Sequence, residues 1–315
     1  MRYRMSLIAS LQARLPVVPA VEALLLGASS RRPLGTNVFD REWDLLIVLD
    51  TCRYDALRSL AGEYAFVDDV GSLYSLGSST REWAANTFTE GYRERIAETA
   101  FVCSNAQVTR TLEAGNAMES PLARRVTSWD TVDPDAFHTF DSVSDYAPMD
   151  PFGGTCIPEI ATDRAIRAGR EVDAERMIVH YLPPHSPFRV EALRENRPLE
   201  RYEYRPFDYL RDGGDREKVW AQYLDELRWV LDSVGVLLEN VDAERAVVTA
   251  DHGELFGHLG LYSHPTGVPH PGLRRVPWLA TSATDTGSYE PRYEEPDREQ
   301  APKETAKQLE YLGYR

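Results

Sequence analysis

The chain has 315 residues, 43% of them hydrophobic, so it can form one large α/β domain or two small ones with a real core. Its formal net charge is −15, and 32 of its 35 basic residues are arginines because Lys218, Lys303 and Lys307 are the only lysines. A surface this acidic repels polyanions, which argues against a nucleic-acid partner. Its scarcity of lysine suits a high-salt cytosol, and we hypothesise a halophilic source.

The three cysteines, Cys52, Cys103 and Cys156, are odd in number and widely spaced. This spacing fits neither a disulfide framework nor paired metal ligands. We therefore expect buried thiols in a reducing compartment, and a cytoplasmic protein.

The first 40 residues are predicted to form a helical extension. Residues 5–27 are moderately apolar, but five residues interrupt them: Gln12, Arg14, Pro16, Pro19 and Glu22. This pattern is too broken for a transmembrane segment and is a poor secretory signal. We favour an amphipathic helix that packs on the domain, and the alternative is a helix that lies on a membrane surface.

The first predicted strand covers residues 45–49, a continuous apolar run typical of a strand inside a parallel sheet. It ends in Asp50, which this pattern places at a strand-to-helix junction on the carboxyl edge of the sheet. Thr51 is predicted to cap a helix over residues 53–61, which Gly62 ends. Asp50 is then either a functional carboxylate or part of a helix cap.

The following segment is predicted to contain a short strand over residues 65–70 and a Gly/Ser-rich turn over residues 71–79. A helix follows, with Ser79 or Thr80 at its start. A hydroxyl at this position usually caps the helix. It can also be a nucleophile, because the free N–H groups and the helix dipole favour an oxyanion there.

Two further inner strands are predicted over residues 100–103 and 177–182, and the irregular residues 109–153 between them are predicted to leave the sheet. The second strand is followed by a short loop in which three prolines surround His185. Prolines hold such a loop rigid and extended, so His185 is a candidate site residue, with a structural turn as the alternative.

The strongest signal lies in residues 246–254, a β-branched run that ends in Asp251 and His252. An oxygen ligand beside a nitrogen ligand suits zinc, manganese or a similar divalent ion, and Gly253 lets the backbone turn closely past it. His258 and His264 follow in a glycine-punctuated loop, and loops that concentrate titratable groups usually serve function. The alternative is a strand followed by a polar turn.

The remaining pattern predicts a long helix after residue 215, a last strand over residues 276–280, and a C-terminal strap and helix over residues 281–315. Strands and helices alternate through the chain. We therefore predict an α/β fold, with a mostly parallel sheet sandwiched between helices, in a single domain over residues 1–315.

Five motifs in this order resemble the alkaline phosphatase/sulfatase superfamily, most closely its sulfatase-like branch. They are an apolar strand followed by Asp and Arg-Tyr-Asp-Ala-Leu (45–60), Pro-His-Ser-Pro-Phe (184–188), the Asp-His-Gly segment (249–260), Leu-Arg-Arg-Val-Pro-Trp (273–278) and Leu-Glu-Tyr-Leu-Gly-Tyr (309–314). The resemblance implies an alkaline phosphatase-like fold and cleavage or transfer of phosphate or sulfate esters.

The same resemblance implies roles for single residues. It implies that Asp50, Asp251 and His252 bind a divalent metal ion, and that Thr80 is both the nucleophile and a metal ligand. It implies that His185 contacts the transferred group. His264 falls where relatives carry a residue near the substrate or a second metal, and we count it among the metal ligands, with a simple His-Pro turn as the alternative.

The chain departs from the sulfatase pattern in ways that favour phosphate esters. Formylglycine sulfatases have a Cys or Ser followed two residues later by Pro or Ala and then by Arg, whereas Thr80 is followed by Arg81-Glu82-Trp83. A threonine cannot form the formylglycine aldehyde. No lysine precedes position 218 to bind a sulfate group. The same unusual residues leave open a non-catalytic binding or scaffold protein as the alternative.

The predicted cofactor is a divalent ion, either Mn, Zn, Mg or Ca. The predicted partner is a small-molecule, glycan-linked or lipid-linked ester. Ser79 is the rival nucleophile and Ser78 a weaker one, while His258 and His270 are better explained as loop surface. The sequence does not distinguish a hydrolase from a transferase and says nothing about oligomeric state.

Overall fold

The structure is a computed structural model that describes residues 17–115, 121–148, 152 and 156–293. Within this part, no helix is both long enough and apolar enough to cross a membrane. The predicted C-terminal helix and the motif at residues 309–314 lie outside the described residues.

The centre of the fold is a seven-stranded sheet with the order β2-β9-β6-β1-β5-β3-β4. Strands β6, β1, β5, β3 and β4 run parallel, whereas β9 pairs antiparallel with both β6 and β2. The strands are β1 (Leu45–Leu49), β2 (Gly71–Tyr74), β3 (Thr99–Cys103), β4 (Thr139–Ser142), β5 (Arg176–Tyr181), β6 (Ala243–Thr249) and β9 (Arg275–Ala283). A separate antiparallel hairpin contains β7 (Leu255–His258) and β8 (Leu261–Ser263).

Helices connect and cover these strands. In chain order they are α1 (Val17–Ser29), α2 (Tyr54–Ser59), α3 (Thr80–Thr87), α4 (Arg93–Ala97), α5 (Ala106–Ala114), α6 (Pro121–Val126), α7 (Pro158–Glu171), α8 (Val190–Glu195), α9 (Arg201–Tyr204), α10 (Pro206–Arg211), α11 (Arg216–Leu238) and α12 (Pro271–Arg274).

Helices must cover both faces of the sheet, because every residue of β1 and of β3 is buried. Helix α7 packs against β3, β5 and α11, while α5 packs against β3 and α3. The predicted α/β fold with a mostly parallel sheet between helices is therefore confirmed. The three thiols are free and buried, as expected.

The N-terminal helix packs on the domain through the face that contains Ala23 and Leu26. Its Ala23 and Leu26 form a small apolar cluster with Ala123 of α6, beside Val126 and Trp129. The preferred sequence interpretation, packing on the domain, is correct for this face.

Three local predictions were wrong. Residues 65–70 form a turn and irregular backbone rather than a strand, and the edge strand β2 begins at Gly71 instead, because pairing with β9 decides which segment extends. Thr51 does not cap α2, since its φ of +63° places it in the preceding turn and Arg53 is the N-cap residue. Residues 109–153 do not leave the sheet entirely, because β4 pairs with β3.

The single domain over residues 1–315 stays a prediction, as do its boundaries at 40 and 281, because both chain ends lie outside the described part. Within that part, one contiguous apolar core underlies the sheet and a much smaller cluster lies under α1.

The central strand should be highly sensitive to loss of volume. Leu46 is fully buried between β5 and β6, so Leu46→Ala should lower the free energy of unfolding by about 2–5 kcal/mol, from lost transfer energy and a residual cavity. Denaturant unfolding measures the change. Leu259→Ala, at a leucine 90% exposed, is the control and should leave the midpoint unchanged. Equal midpoints for the two variants would contradict this assignment of the core.

Candidate active site

The candidate site lies where four adjacent parallel strands end. In the order β6, β1, β5 and β3, these strands are followed by Asp251-His252, Asp50, the His185 loop and Asn105. The carboxyl edge of an open α/β sheet is its usual ligand-binding edge. The sheet order therefore brings together residues that lie about 200 positions apart in the sequence, such as Thr51 and Asp251.

Asp50, Asp251 and His252 form a compact group of potential metal ligands. One ligand atom from each lies within 4.8 Å of the others, and all three residues are buried. His252 Nε2 is 3.5 Å from Asp50 Oδ1 and 3.4 Å from Asp251 Oδ2. Two oxygens and one nitrogen at this spacing match the donor set that divalent metal ions prefer.

Asp50 provides the test of whether a metal fits. Its Oδ1 is buried and makes no hydrogen bond within the described part of the chain, whereas Asn105 Nδ2 donates to its Oδ2 at 2.7 Å. Burial, together with the carboxylates of Asp251 and Glu254, raises the pKa of Asp50. A buried acceptor without a donor, beside a second carboxylate, is a place where a cation would restore balance, so the residues fit a metal ion.

The two turns around the group have special backbone geometry. Thr51 adopts a left-handed φ of +63°, and its N–H donates to Asp251 Oδ1 at 3.3 Å. Gly253 passes so close to the chain that a Cβ there would lie 2.3 Å from the carbonyl oxygen of Gly272. Glycine is required at this position because any side chain would separate the two segments.

Thr80 is the hydroxyl that faces the carboxylates. It begins α3, and its Oγ1 donates to Asp251 Oδ2 at 2.7 Å and lies 3.3 Å from His252 Nε2. The rival serines are occupied elsewhere. Ser79 Oγ caps α3 and accepts a hydrogen bond from Thr266, while Ser78 Oγ donates to Glu82.

His185 and His264 lie beside the ligand group. The His264 ring centroid is 4.7 Å from that of His252 and 5.1 Å from that of His185. Burial and the nearby His264 lower the pKa of His185. Burial opposes the charged form of His264, but Glu254, whose Oε2 lies 3.1 Å from His264 Nδ1, outweighs it and raises the pKa of His264. His264 lies in the site without completing the compact ligand group.

Three further residues were missed by sequence reasoning. Asn105 follows β3 and lies 3.5 Å from Thr80 Oγ1; Glu254 pairs with His264; and His180, in β5, has its Nε2 3.9 Å from Asp251 Oδ2. Burial lowers the pKa of His180 to about 4. Asn105 could have been found, because it also follows a predicted inner strand. His180 gave no signal beyond a histidine in an apolar run.

His258 and His270 pack against each other, with ring centroids 5.9 Å apart. His270 accepts a hydrogen bond from the N–H of Gly272 and so caps α12. His258 Nε2 lies 3.4 Å from Arg216, on the exterior of the hairpin.

The unusual Glu82 and Trp83 after Thr80 have structural explanations. Glu82 is fully buried and accepts hydrogen bonds from five groups: the backbone and hydroxyl of Ser78, the hydroxyl of Ser29, the N–H of Gly267 and the guanidinium of Arg274. Trp83 packs edge-on against His180. These contacts fasten the turn before Thr80 to α1 and to the loop after His264.

No family model matches the chain, and no curated protein matches its sequence. Its structure is similar to the integral membrane lipooligosaccharide phosphoethanolamine transferase A from Neisseria meningitidis, at 15% identity and a TM-score of 0.47, covering 82% of this chain and 50% of that one. This chain therefore spans about half the length of that protein.

Two other solved structures are similar at 12% identity. One is the periplasmic domain of EptC from Escherichia coli in complex with Zn, with a TM-score of 0.46, covering 80% of this chain and 76% of that one. The other is a 2-O GAG sulfatase, with a TM-score of 0.42, covering 85% of this chain and 70% of that one. Transferases and sulfatases are both its structural neighbours. With TM-scores below 0.5, these likenesses transfer no residue roles to this chain.

Replacing the Asp50 carboxylate by an amide should have opposite effects on the stability of the metal-free chain and on metal binding. Because burial raises the pKa of Asp50 and of Asp251, the folded metal-free chain binds more protons than the unfolded chain above the ordinary aspartate pKa. Its stability should fall as the pH rises through the raised pKa values. Asp50→Asn should weaken that fall and raise the metal-free melting temperature at neutral pH, yet abolish stabilisation by Mn²⁺ or Zn²⁺.

Thermal unfolding with and without each ion, together with metal analysis after dialysis, measures both effects. Asp69→Asn, at an exposed aspartate, is the matched control and should keep the wild-type response. A wild-type response to metal in Asp50→Asn would remove Asp50 from the ligand group.

The buried Glu82 should contribute far more stability than an exposed carboxylate with the same kind of partner. Glu82→Ala leaves the buried guanidinium of Arg274 without its carboxylate and should cost about 3–5 kcal/mol. The matched control is Glu90→Ala, which removes an exposed ion pair with Arg93 and should change stability little. Denaturant unfolding compares the two variants. Similar small losses of stability would show that Glu82 does not hold the turn before Thr80 to α1 and to the loop after His264.

Proposed function

We propose that this chain is a metal-dependent hydrolase or transferase of phosphate or sulfate esters that acts through a covalent threonine intermediate, with phosphoesters favoured. The observation that carries the proposal is the contact of Thr80 Oγ1 with Asp251 and His252, inside a buried group of potential metal ligands. A nucleophilic hydroxyl next to metal ligands is the arrangement that this chemistry requires.

Asp50, Asp251 and His252 would hold the metal, with Thr80 as a further oxygen ligand and His264 beside them. A divalent ion bound there supplies a Lewis acid that lowers the pKa of a hydroxyl and neutralises negative charge on an ester. Its identity among Mn, Zn, Mg and Ca is open.

Thr80 supplies the attacking oxygen. Its hydroxyl already donates to Asp251 Oδ2, so the carboxylate is in position to orient the hydroxyl and to accept its proton. As the Thr80 oxygen bonds to phosphorus, the bond from phosphorus to the leaving oxygen breaks. Thr80 is the first residue of α3, where the free backbone N–H groups and the helix dipole favour negative charge.

His185 and His264 would act on the transferred group and the leaving oxygen. Glu254 favours the protonated form of His264, which can donate a proton to a departing alkoxide. Burial favours neutral His185, whose single N–H, on Nδ1, donates to the carbonyl oxygen of Ser186. Its Nε2 can therefore accept a hydrogen bond from a protonated phosphoryl oxygen or from the incoming hydroxyl. Water or an acceptor alcohol then takes the phosphoryl group from Thr80, and that acceptor decides between hydrolase and transferase.

Phosphate is favoured over sulfate by the nucleophile itself. Threonine cannot become the formylglycine of sulfatases, and a threonine alkoxide attacks phosphorus directly. The substrate class that we propose is a small-molecule, glycan-linked or lipid-linked ester, with the protein in the cytoplasm.

Thr80 substitutions test the proposal. Thr80→Ala should lower the turnover of aryl phosphate monoesters or diesters by several orders of magnitude, because the nucleophile is removed while Asp50, Asp251 and His252 remain to hold the metal. Thr80→Ser should keep part of the activity. Steady-state kinetics with metal present measures both variants.

Ser79→Ala is the matched control, since it removes the neighbouring hydroxyl, which caps α3 but does not reach Asp251. If Ser79→Ala loses activity while Thr80→Ala retains it, the nucleophile is Ser79 and the assignment of Thr80 is wrong. Faster cleavage of aryl sulfates than of every aryl phosphate would overturn the phosphoester preference.

A further inference from the structure

Helices α1 and α6, which pack against each other and are called the helix pair below, carry a surface that the proposed chemistry does not use. Nine large hydrophobic side chains are exposed in the described part of the chain. Five of them lie on α1, on α6 or just after α1: Val21, Leu24, Leu25, Leu34 and Leu122. Single exposed hydrophobic residues are ordinary, but such a concentration marks an interaction surface.

The helical spacing places three of these residues on one side of α1. Val21, Leu24 and Leu25 follow an i, i+3, i+4 pattern, so they share a face. Ala23 and Leu26, on the other side, are buried against α6. Helix α1 is thus apolar on both sides, one packed on the domain and the other facing solvent.

The charge of this helix pair is opposite to that of the rest of the chain. Residues 17–34 and 121–126 contain one acidic residue, Glu22, and four exposed arginines, Arg31, Arg32, Arg124 and Arg125. The chain as a whole has a net charge of −15. Residues 1–16 continue the basic trend in sequence, with three arginines and no acidic residue.

We propose that the outer surface of α1 and α6 docks on a lipid bilayer that contains anionic lipids. Exposed leucines can enter the boundary between headgroups and acyl chains, and the flanking arginines can bind anionic headgroups. A second copy of this chain fits less well, because a two-fold contact through this surface would bring its arginines against the same arginines of the other copy.

The surface adjoins the candidate active site. Ser29, the last residue of α1, donates a hydrogen bond to Glu82, two residues after Thr80. A Cβ on Gly267, in the loop after His264, would lie 3.5 Å from Leu25 Cβ. Docking through α1 therefore brings the bilayer next to the loop that carries His264.

Co-sedimentation of the full chain with extruded vesicles tests the proposal without any catalytic activity. One set of vesicles contains phosphatidylcholine alone, and the other contains phosphatidylcholine and phosphatidylglycerol at about two to one. At an ionic strength of about 0.1 M, where charges act over about 10 Å, the wild type should bind the anionic vesicles and bind the neutral ones much more weakly.

Substitutions at exposed positions separate the two contributions. Val21→Ser with Leu24→Ser should lower the partition coefficient for anionic vesicles about tenfold, and Leu122→Ser tests the other helix. Arg32→Glu with Arg125→Glu should remove the preference for anionic vesicles. Leu259→Ser and Arg194→Glu are matched controls on other exposed surfaces and should bind like the wild type.

Three results would overturn the proposal. One is a wild type that binds neither vesicle composition. Another is an equal loss of binding in the Leu259→Ser control. The third is a wild type that does not bind vesicles but self-associates in analytical ultracentrifugation, with the self-association removed by Val21→Ser with Leu24→Ser. This surface would then be a contact between copies.

Discussion

Two aspartates, Asp50 and Asp251, are completely buried around one imidazole, and much of the structure serves to hold them there. Burial disfavours the charged form of each carboxylate and raises the pKa of both, and repulsion from Asp251 raises the pKa of Asp50 further. Asp251 is stabilised by three hydrogen bonds that it accepts, from the hydroxyl of Thr80, the N–H of His252 and the N–H of Thr51. Asp50 receives one donor from Asn105, and its other oxygen makes no hydrogen bond within the described part of the chain.

The sheet makes this arrangement possible at low conformational cost. Strands β6, β1 and β5 are buried neighbours in parallel register, so residues that follow them start from fixed positions at one edge. The left-handed Thr51 and the close approach of Gly253 are local departures from relaxed backbone that such rigid strands can support. A site on rigid elements would keep the proposed nucleophile and the proposed metal ligands in a fixed relation, which matters because small displacements cost catalysis.

A second buried charge connects the site to the N-terminal helix. Glu82 binds Ser29, the Ser78 turn, Gly267 and Arg274, which come from four separate parts of the sequence. Through it, the start of α3, the loop after His264 and the end of α1 form one hydrogen-bonded unit. The surface of α1 is thereby connected to Thr80 through hydrogen bonds of Glu82.

The sequence by itself determined the inner strands, the α/β class and most of the residues that meet at the carboxyl edge of the sheet. Leu45–Leu49 and the run that ends in Asp251-His252 are continuous apolar segments followed by ionisable residues, a pattern that burial imposes locally. The start of α3 at Ser79-Thr80 could also be predicted from the local sequence, because capping is a local interaction. Short-range rules were sufficient for these features.

Only the tertiary structure decided which polar residues meet. Nothing in the local sequence distinguishes Thr80 from Ser79, and the choice depends on Asp251, 171 positions away. His180, Asn105 and Glu254 enter the site through strand order and loop packing, which hydrophobic periodicity does not specify. Glu82 looked like a departure from a catalytic pattern until its partners from α1, α12 and the loop after His264 were brought together, because the stability of a buried charge depends on long-range contacts.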